Sequence, residues 1–170
     1  SFPYLVPGGP YDQLWDWDSF FTGVALLKFG SAPYLLGSML NFLNHTNAST
    51  GQVQGCLTPS GAPGTIYQAK PVIIQGAWLA LQALGNSSEH SRVLKDNCGK
   101  MEALLDYWEL APRRDNTTGL YAWHDQLQTG ADNLVTSECP SSRSTCWVER
   151  SDAFTLASPD LQVFLAREHR

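Results

Sequence analysis

The chain has 170 residues, a length that suits one domain with a substantial core but also a piece of a larger domain. Charged residues make up 16% of it, against roughly 25% in soluble domains, and 16 acidic against 11 basic residues give a net charge of −5. We therefore expect no nucleic-acid partner and no membrane contact, since the chain lacks a basic patch and its apolar runs are too short to cross a bilayer.

Four N-x-S/T triplets lie in polar stretches between apolar segments, which favours a protein of the secretory pathway that carries N-linked glycans. We therefore expect the ER lumen, a vacuole or lysosome, or the extracellular space. The start of the given sequence shows no signal-peptide pattern, so we expect the signal sequence to lie outside this chain. The candidate glycosylation sites are Asn44, Asn47, Asn86 and Asn116.

The four cysteines form no C-x-x-C pair, which suits disulfides in an oxidising compartment better than a zinc site. Cys139 and Cys146 bracket a short polar loop and make the best local bridge, which would leave Cys56 to pair with Cys98. The alternative is that two or more of these thiols are buried and unpaired. The four histidines never stand three or four positions apart, so we expect no metal site.

Apolar residues recur every three or four positions and the alternation typical of strands is missing, so we expect an all-α fold. Gly30 and Gly85 stand where a left-handed residue would end a helix, while Pro33 and Pro159 stand where a helix begins. The predicted helices cover about residues 16–29, 33–43, 71–84, 89–110 and 159–170, and the buried stripe of the fourth is predicted to be Leu94, Cys98, Met101, Leu105 and Trp108.

The first predicted helix begins in a segment that is rich in both aromatic and acidic residues. Tyr11, Trp15, Asp16, Trp17 and Asp18 all lie within eight positions. A sugar site explains this mixture, because Trp rings stack on the apolar faces of a pyranose while carboxylates accept hydrogen bonds from its hydroxyls. The alternative is that Trp17 is a core residue and that Asp16 or Asp18 complements the helix N-terminus.

Two further segments carry polar groups that chemistry could use. In one, Asp132 follows Gly130, which lets the backbone approach a ligand, so the segment suits a positioned acid; the alternative is an ordinary turn. In the other, Gln68 and Lys70 precede a strongly apolar helix and would point into the space that the helix N-termini surround; the alternative is a plain loop end. A serine hydrolase is not expected, because no G-x-S-x-G turn occurs.

These three segments, in this order, resemble the catalytic half of the six-hairpin glycosidases, namely glycoside hydrolase family 63 and the mannosylglycerate hydrolases, with the trehalases further off. Residues 15–21 after Tyr11 match the family's W-x-W-D-S-x-F motif. Residues 68–71 are similar to its Q-P-P-like helix entry, with Lys70 at the first Pro position. Residues 128–133 match its E-S-G-x-D-N segment, with Gln128 in place of Glu.

The resemblance implies an (α/α)6 barrel, of which residues 1–170 would be the N-terminal half of a single catalytic domain. It implies inverting hydrolysis of α-glucosidic or α-mannosidic bonds in oligosaccharides or small glycosides, without a cofactor, once the missing half of the barrel is present. Asp132 would be the general acid. The carbohydrate substrate would be held by Tyr11, Trp15, Trp17, Asp18, Gln68, Trp123 and Gly130.

Two other functions fit the same residues. One is a carbohydrate-binding protein on the same scaffold that has lost catalysis, which Gln128 in place of Glu favours. The other is a structural helical-repeat interaction module.

Overall fold

The computed structural model describes residues 2–65, 67–85, 87–111, 113–123, 126–129, 156–157 and 159–169. This part of the chain is mostly helical, as an all-α fold requires. Its helices are α1 (Asp16–Ala25), α2 (Ala32–His45), α3 (Ile73–Leu84), α4 (Ser87–Glu109), α5 (Gln126–Thr129) and α6 (Pro159–Glu168), with a 3₁₀ turn at Leu27–Phe29. Strand β1 (Leu14–Trp15) pairs antiparallel with β2 (Cys56–Leu57), and β3 (Ala122–Trp123) pairs antiparallel with β4 (Leu156–Ala157).

The helix boundaries follow from the glycines and prolines of the sequence. Gly30 has a φ of 83° and Gly85 a φ of 65°, so both left-handed caps are confirmed. Pro33 lies in the first turn of α2 and Pro159 is the first residue of α6, also as predicted. The first predicted helix is divided, because the α-helix ends at Ala25 and the chain reaches Gly30 through the 3₁₀ turn.

Helices α1, α2 and α3 pack on one another and form the main core. Its completely buried side chains include Leu35, Met39 and Phe42 of α2. A side chain at Gly76 of α3 would lie 2.7 Å from the sulfur of Met39, so the glycine lets α2 and α3 approach closely. Each of these large apolar side chains contributes about 1.5–3 kcal/mol through its removal from water.

The N-terminal segment lies across α2 and is tied to it by hydrogen bonds. Asn41 accepts the backbone N–H of Phe2 at 2.9 Å and donates to the carbonyl of Phe2 at 2.9 Å. The hydroxyl of Ser38 accepts the backbone N–H of Leu5. A side chain at Gly37 would overlap the carbonyl oxygen of Pro3, so this helical position needs a glycine.

The N-terminal half of helix α4 buries a different face from the one predicted, whereas Met101 and Trp108 are buried as predicted. Leu94 and Cys98 are exposed, whereas Val93 and Asn97 are buried, so the buried stripe is shifted by one position in this half of the helix. Asn97 is accommodated because its amide donates to the carbonyl of Val93 at 2.9 Å within the helix.

Cys56 and Cys98 are free thiols, so the predicted bridge between them is wrong. Cys56 is buried in β2, while Cys98 lies on the exposed face of α4. Burial raises the pKa of the Cys56 thiol to about 11, and the nearby carboxylate of Asp16 adds to this. The other predicted pair, Cys139 and Cys146, lies outside the described residues.

A second, smaller core joins the end of α4 to β3 and α6. It consists of Tyr107, Trp108, Trp123, Leu161 and Leu165. Across the described ranges, no helix combines the length and the apolar composition that a membrane span requires.

Candidate functional site

The aromatic segment, which comprises residues 11–18, is placed by the short β1–β2 ladder that leads into α1. Trp15 in β1 lies opposite Cys56 in β2. Tyr11 is half-exposed and meets Trp15 edge-on, with 6.4 Å between the ring centroids. The indole Nε1–H of Trp15 is buried and has no hydrogen-bond acceptor in the part of the chain that the structure describes. The structure therefore brings Tyr11 and Trp15 together and leaves one donor unused.

Asp16, the first residue of α1, is a buried carboxylate held by several donors. Its Oδ1 accepts the backbone N–H of Trp17 at 2.7 Å, and its Oδ2 accepts the backbone N–H of Lys70 at 2.7 Å. The ammonium of Lys70 lies 3.2 Å from Oδ1, and both side chains are buried. A partner is needed here, because an unpaired buried carboxylate costs several kcal/mol. Asp16 thus complements its helix terminus, as one alternative held, and also forms an ion pair.

The ammonium of Lys70 also faces two aromatic rings. It lies 4.7 Å from the ring centroid of Trp17 and 5.7 Å from that of Tyr67. At these distances a cation is attracted to the face of an aromatic ring. Lys70 therefore points to the start of α1, and its charge is balanced by Asp16 and attracted by these two rings.

Gly55 leaves the space that the buried carboxylate occupies. Its carbonyl accepts the backbone N–H of Asp16 at 3.0 Å, and its own N–H donates to the carbonyl of Tyr67 at 3.0 Å. A side chain at Gly55 would lie 3.0 Å from Oδ2 of Asp16 and 3.0 Å from the ring of Tyr67. The loop between α2 and α3 is therefore fitted closely around Asp16.

The other residues of the W-D-S motif lie in the first turn of α1. Trp17 and Asp18 are half-buried, so each is within reach of solvent. Ser19 is buried, and its hydroxyl donates to the carbonyl of Leu5 at 2.8 Å. Ser19 therefore attaches the N-terminal segment, while Trp17 and Asp18 are the members of the motif that a ligand can meet.

The sequence predicted that Gln68 would point into the space at the helix N-termini, but the structure places its side chain elsewhere. It is buried, its Oε1 accepts the backbone N–H of Val53 at 3.0 Å, and its Nε2 donates to the carbonyl of Gly51 at 3.2 Å. Both ends of the amide are used to hold the loop before β2. Gln68 is therefore a structural residue of that loop.

Trp123, predicted as a substrate-binding residue, is a core residue. Its side chain is 1% exposed, and its ring packs edge-on against Trp108 at 5.8 Å between centroids. Its indole N–H donates to Asp160 at 3.4 Å. A ring that holds substrate must be accessible, but the second core encloses this one.

The predicted general acid Asp132 and its neighbour Gly130 lie outside the described residues. Gln128, which stands where the resembling family has Glu, is buried in α5. Within the described ranges, no three His, Cys, Asp or Glu side chains cluster as a metal site would require.

The sequence analysis missed one buried acidic residue at the end of α6. The carboxylate of Glu168 accepts the backbone N–H groups of Ile74 and Gln75, at 2.9 and 3.0 Å, and so caps the first turn of α3. Burial raises the pKa of Glu168 to about 7, although these two hydrogen bonds lower it. An acidic residue in the last turn of a helix opposes the helix dipole, and that was the available signal.

Comparison with known proteins relates the chain to trehalases. It is 25% identical over 127 residues to the cytosolic neutral trehalase of Saccharomyces cerevisiae, 22% identical to a probable trehalase of the same yeast, and 25% identical to the cytosolic neutral trehalase of Kluyveromyces lactis. The alignments cover 73% of this chain and 16% of each relative. No family model matches the chain, and no solved structure matches it.

This comparison corrects the expected secretory pathway, because two of these relatives are named as cytosolic proteins. Asn, Ser and Thr are also ordinary turn residues, and two of the four triplets stand in such turns of the described chain, those that begin at Asn47 and Asn116. Asn47 accepts the backbone N–H of Ser49 at 2.9 Å. Asp115, just before Asn116, likewise accepts two backbone N–H groups of its turn.

Proposed function

We propose that the chain is part of a glycosidase of the trehalase kind, which hydrolyses the O-glycosyl bond of an α-glucoside. The observation that carries this proposal is the similarity to trehalases over 127 residues. An α-glucoside is preferred to an α-mannoside because every relative described above is named a trehalase. Cytosol is the compartment that two of those names support.

The chain would supply part of an (α/α)6 barrel, and the rest of the protein would complete it. It spans 16% of the length of the curated relatives it matches. The packed helices α1, α2, α3, α4 and α6 are compatible with helical hairpins of such a barrel. Activity is therefore proposed for the full-length protein, with the barrel's remaining helices as the chain's partner.

The proposed chemistry is inverting hydrolysis by two carboxyl groups. Asp132 would protonate the leaving oxygen, and a second carboxylate from elsewhere in the protein would activate water about 6.5–9.5 Å away on the opposite face of the sugar. For this role Asp132 must remain protonated near neutral pH, which burial against apolar groups or a neighbouring carboxylate would achieve. Gly130 would let the backbone approach the sugar.

The residues proposed to hold the sugar come from the aromatic segment. Tyr11, Trp15 and Trp17 present ring surface that is half-buried or exposed, and such rings stack on the apolar face of a pyranose. Asp18, which is half-buried, can accept a hydrogen bond from a hydroxyl of the sugar. Gln68 and Trp123 are not included, since the loop and the second core use them.

A panel of substrates tests the proposal. The purified full-length protein is expected to release glucose from trehalose, and to release β-glucose first from an aryl α-glucoside, as followed by NMR. An aryl α-mannoside is the specificity control. Binding of trehalose without any hydrolysis would instead support the carbohydrate-binding protein, which buried Gln128 in place of Glu favours. If the protein neither binds nor hydrolyses these glycosides, both functions are contradicted and the structural helical-repeat module remains.

A further inference from the structure

The Asp16–Lys70 ion pair is buried at the base of the aromatic segment. The two side chains are 1% and 4% exposed, and 54 positions separate them in the sequence. Two charges that leave water lose about as much free energy as their attraction returns, so apolar residues of similar size would stabilise the fold equally well. Fold stability alone therefore gives no reason for this pair at this place.

The pair acts on one residue of the candidate site from two directions. Oδ1 of Asp16 accepts the backbone N–H of Trp17 at 2.7 Å, which holds the start of α1. The ammonium of Lys70 lies 4.7 Å from the centroid of the Trp17 ring, which favours one ring orientation. The backbone N–H of Lys70 donates to Asp16 as well, so the loop before α3 is locked to the same carboxylate.

We infer that Asp16 and Lys70 are positioning residues, which hold the half-buried Trp17 ring in the orientation that stacks on the sugar. The inference rests on the proposed function. Neither residue touches the sugar; both act through Trp17. Because a stacked ring binds the ground state and the transition state alike, the pair affects KM and leaves kcat nearly unchanged.

The double variant Asp16→Asn with Lys70→Met tests this in the full-length protein. It removes both charges together, so no unpaired ion is left in the interior. The Asn amide can accept only one of the two backbone N–H groups that Asp16 accepts, so the urea midpoint is expected to fall moderately while the protein stays folded. KM for trehalose is expected to rise about tenfold, with kcat changed less than about twofold. The matched control removes the exposed pair of α4 through Glu89→Gln with Arg92→Met, and no change in KM is expected.

Repeating the double variant in a Trp17→Phe background separates positioning from a general structural effect. If the pair acts through Trp17, its removal should raise KM much less there than in the wild type. Should the double variant fail to fold, Lys70→Arg takes its place: the charge stays paired while the larger planar guanidinium displaces the ring, so KM should rise with kcat nearly unchanged.

The outcomes distinguish this inference from the proposed function. A wild type that neither hydrolyses nor binds α-glucosides overturns the proposed function and the inference with it. An active wild type whose folded double variant keeps its KM overturns the inference alone, as does a rise in KM of equal size in the Trp17→Phe background. The same holds for Lys70→Arg with an unchanged KM if that variant replaces the double one.

Discussion

The carboxylate of Glu168 in α6 accepts the backbone N–H of Gln75 in α3 at 3.0 Å, across 93 positions of the sequence. It thereby joins the last described helix to the first turn of a central one, together with its bond to Ile74. The group is 6% exposed and lines a cavity of about 510 Å³ with Trp78 and Arg167. Helix α6 is therefore held to the main core partly by a titratable group.

We predict that this group makes stability depend on pH. Burial raises the pKa of Glu168 from 4.5 to about 7 in the folded state, so between these values the folded state binds a proton that the unfolded state has lost. The resulting stabilisation is present below about pH 4.5 and is lost as the pH rises through about 7, a change on the order of 3 kcal/mol. Urea midpoints of the wild type at pH 5 and pH 8 measure it. Glu168→Gln is expected to flatten the dependence, and an equally steep profile in that variant would contradict the assignment.

Two glycines that both lie within helices should respond oppositely to alanine. Gly37→Ala would push the new methyl group against the carbonyl of Pro3, so it should lower the free energy of unfolding by about 1–3 kcal/mol and loosen the N-terminal segment. Gly99→Ala in α4 meets nothing within 4 Å and should raise it by about 0.5–1 kcal/mol. Equilibrium unfolding measures both, and equal effects would argue against the contact between Pro3 and α2.

Substitutions of Trp123 and of Trp17 should differ in their effects on the free energy of unfolding and on KM. Trp123→Leu opens a cavity in the second core and should lower the free energy of unfolding by about 3 kcal/mol, with KM unchanged in the folded protein. Trp17→Leu removes a half-buried ring and should cost less stability but raise KM for trehalose. Urea unfolding and steady-state kinetics on both variants test this. A raised KM in Trp123→Leu would return that residue to the binding site.

The two described cysteines should react at different rates. Cys98 is exposed on α4, whereas the Cys56 thiol is buried and its pKa is raised to about 11. Iodoacetamide applied to the native protein is expected to label Cys98 and to leave Cys56 unmodified until denaturant is added, as peptide mass spectrometry can show. A peptide pair linked through Cys56 and Cys98 under non-reducing conditions would contradict the structure.

The helices could be predicted from the sequence because their signals are local. Gly30, Pro33, Gly85 and Pro159 act within one turn, and the apolar period extends over each helix. The buried face of α4 was harder to predict from the sequence. Asn97 is buried because it forms a hydrogen bond within its own helix, while the apolar Leu94 is exposed. In the N-terminal half of this helix, side-chain polarity alone therefore predicted the wrong buried positions.

The candidate site was predictable only as a composition of residue types. The aromatic segment was recognised, but the partner of Asp16 is 54 positions away, and no local pattern reports a contact of that range. Gln68 and Trp123 were assigned to the site for their chemistry, whereas loop hydrogen bonds and a second core decide where they lie. The secretory assignment failed for a similar reason, since triplets that form turns also read as glycosylation signals.

Substitution of Asp132 is the most direct test of the proposed glycosidase activity. Asp132→Asn in the full-length protein keeps the size of the side chain but removes the proton that the leaving oxygen would receive. We expect hydrolysis of trehalose to fall by at least about a hundredfold, while calorimetry shows that trehalose still binds. Hydrolysis at the wild-type rate in this variant would contradict the account.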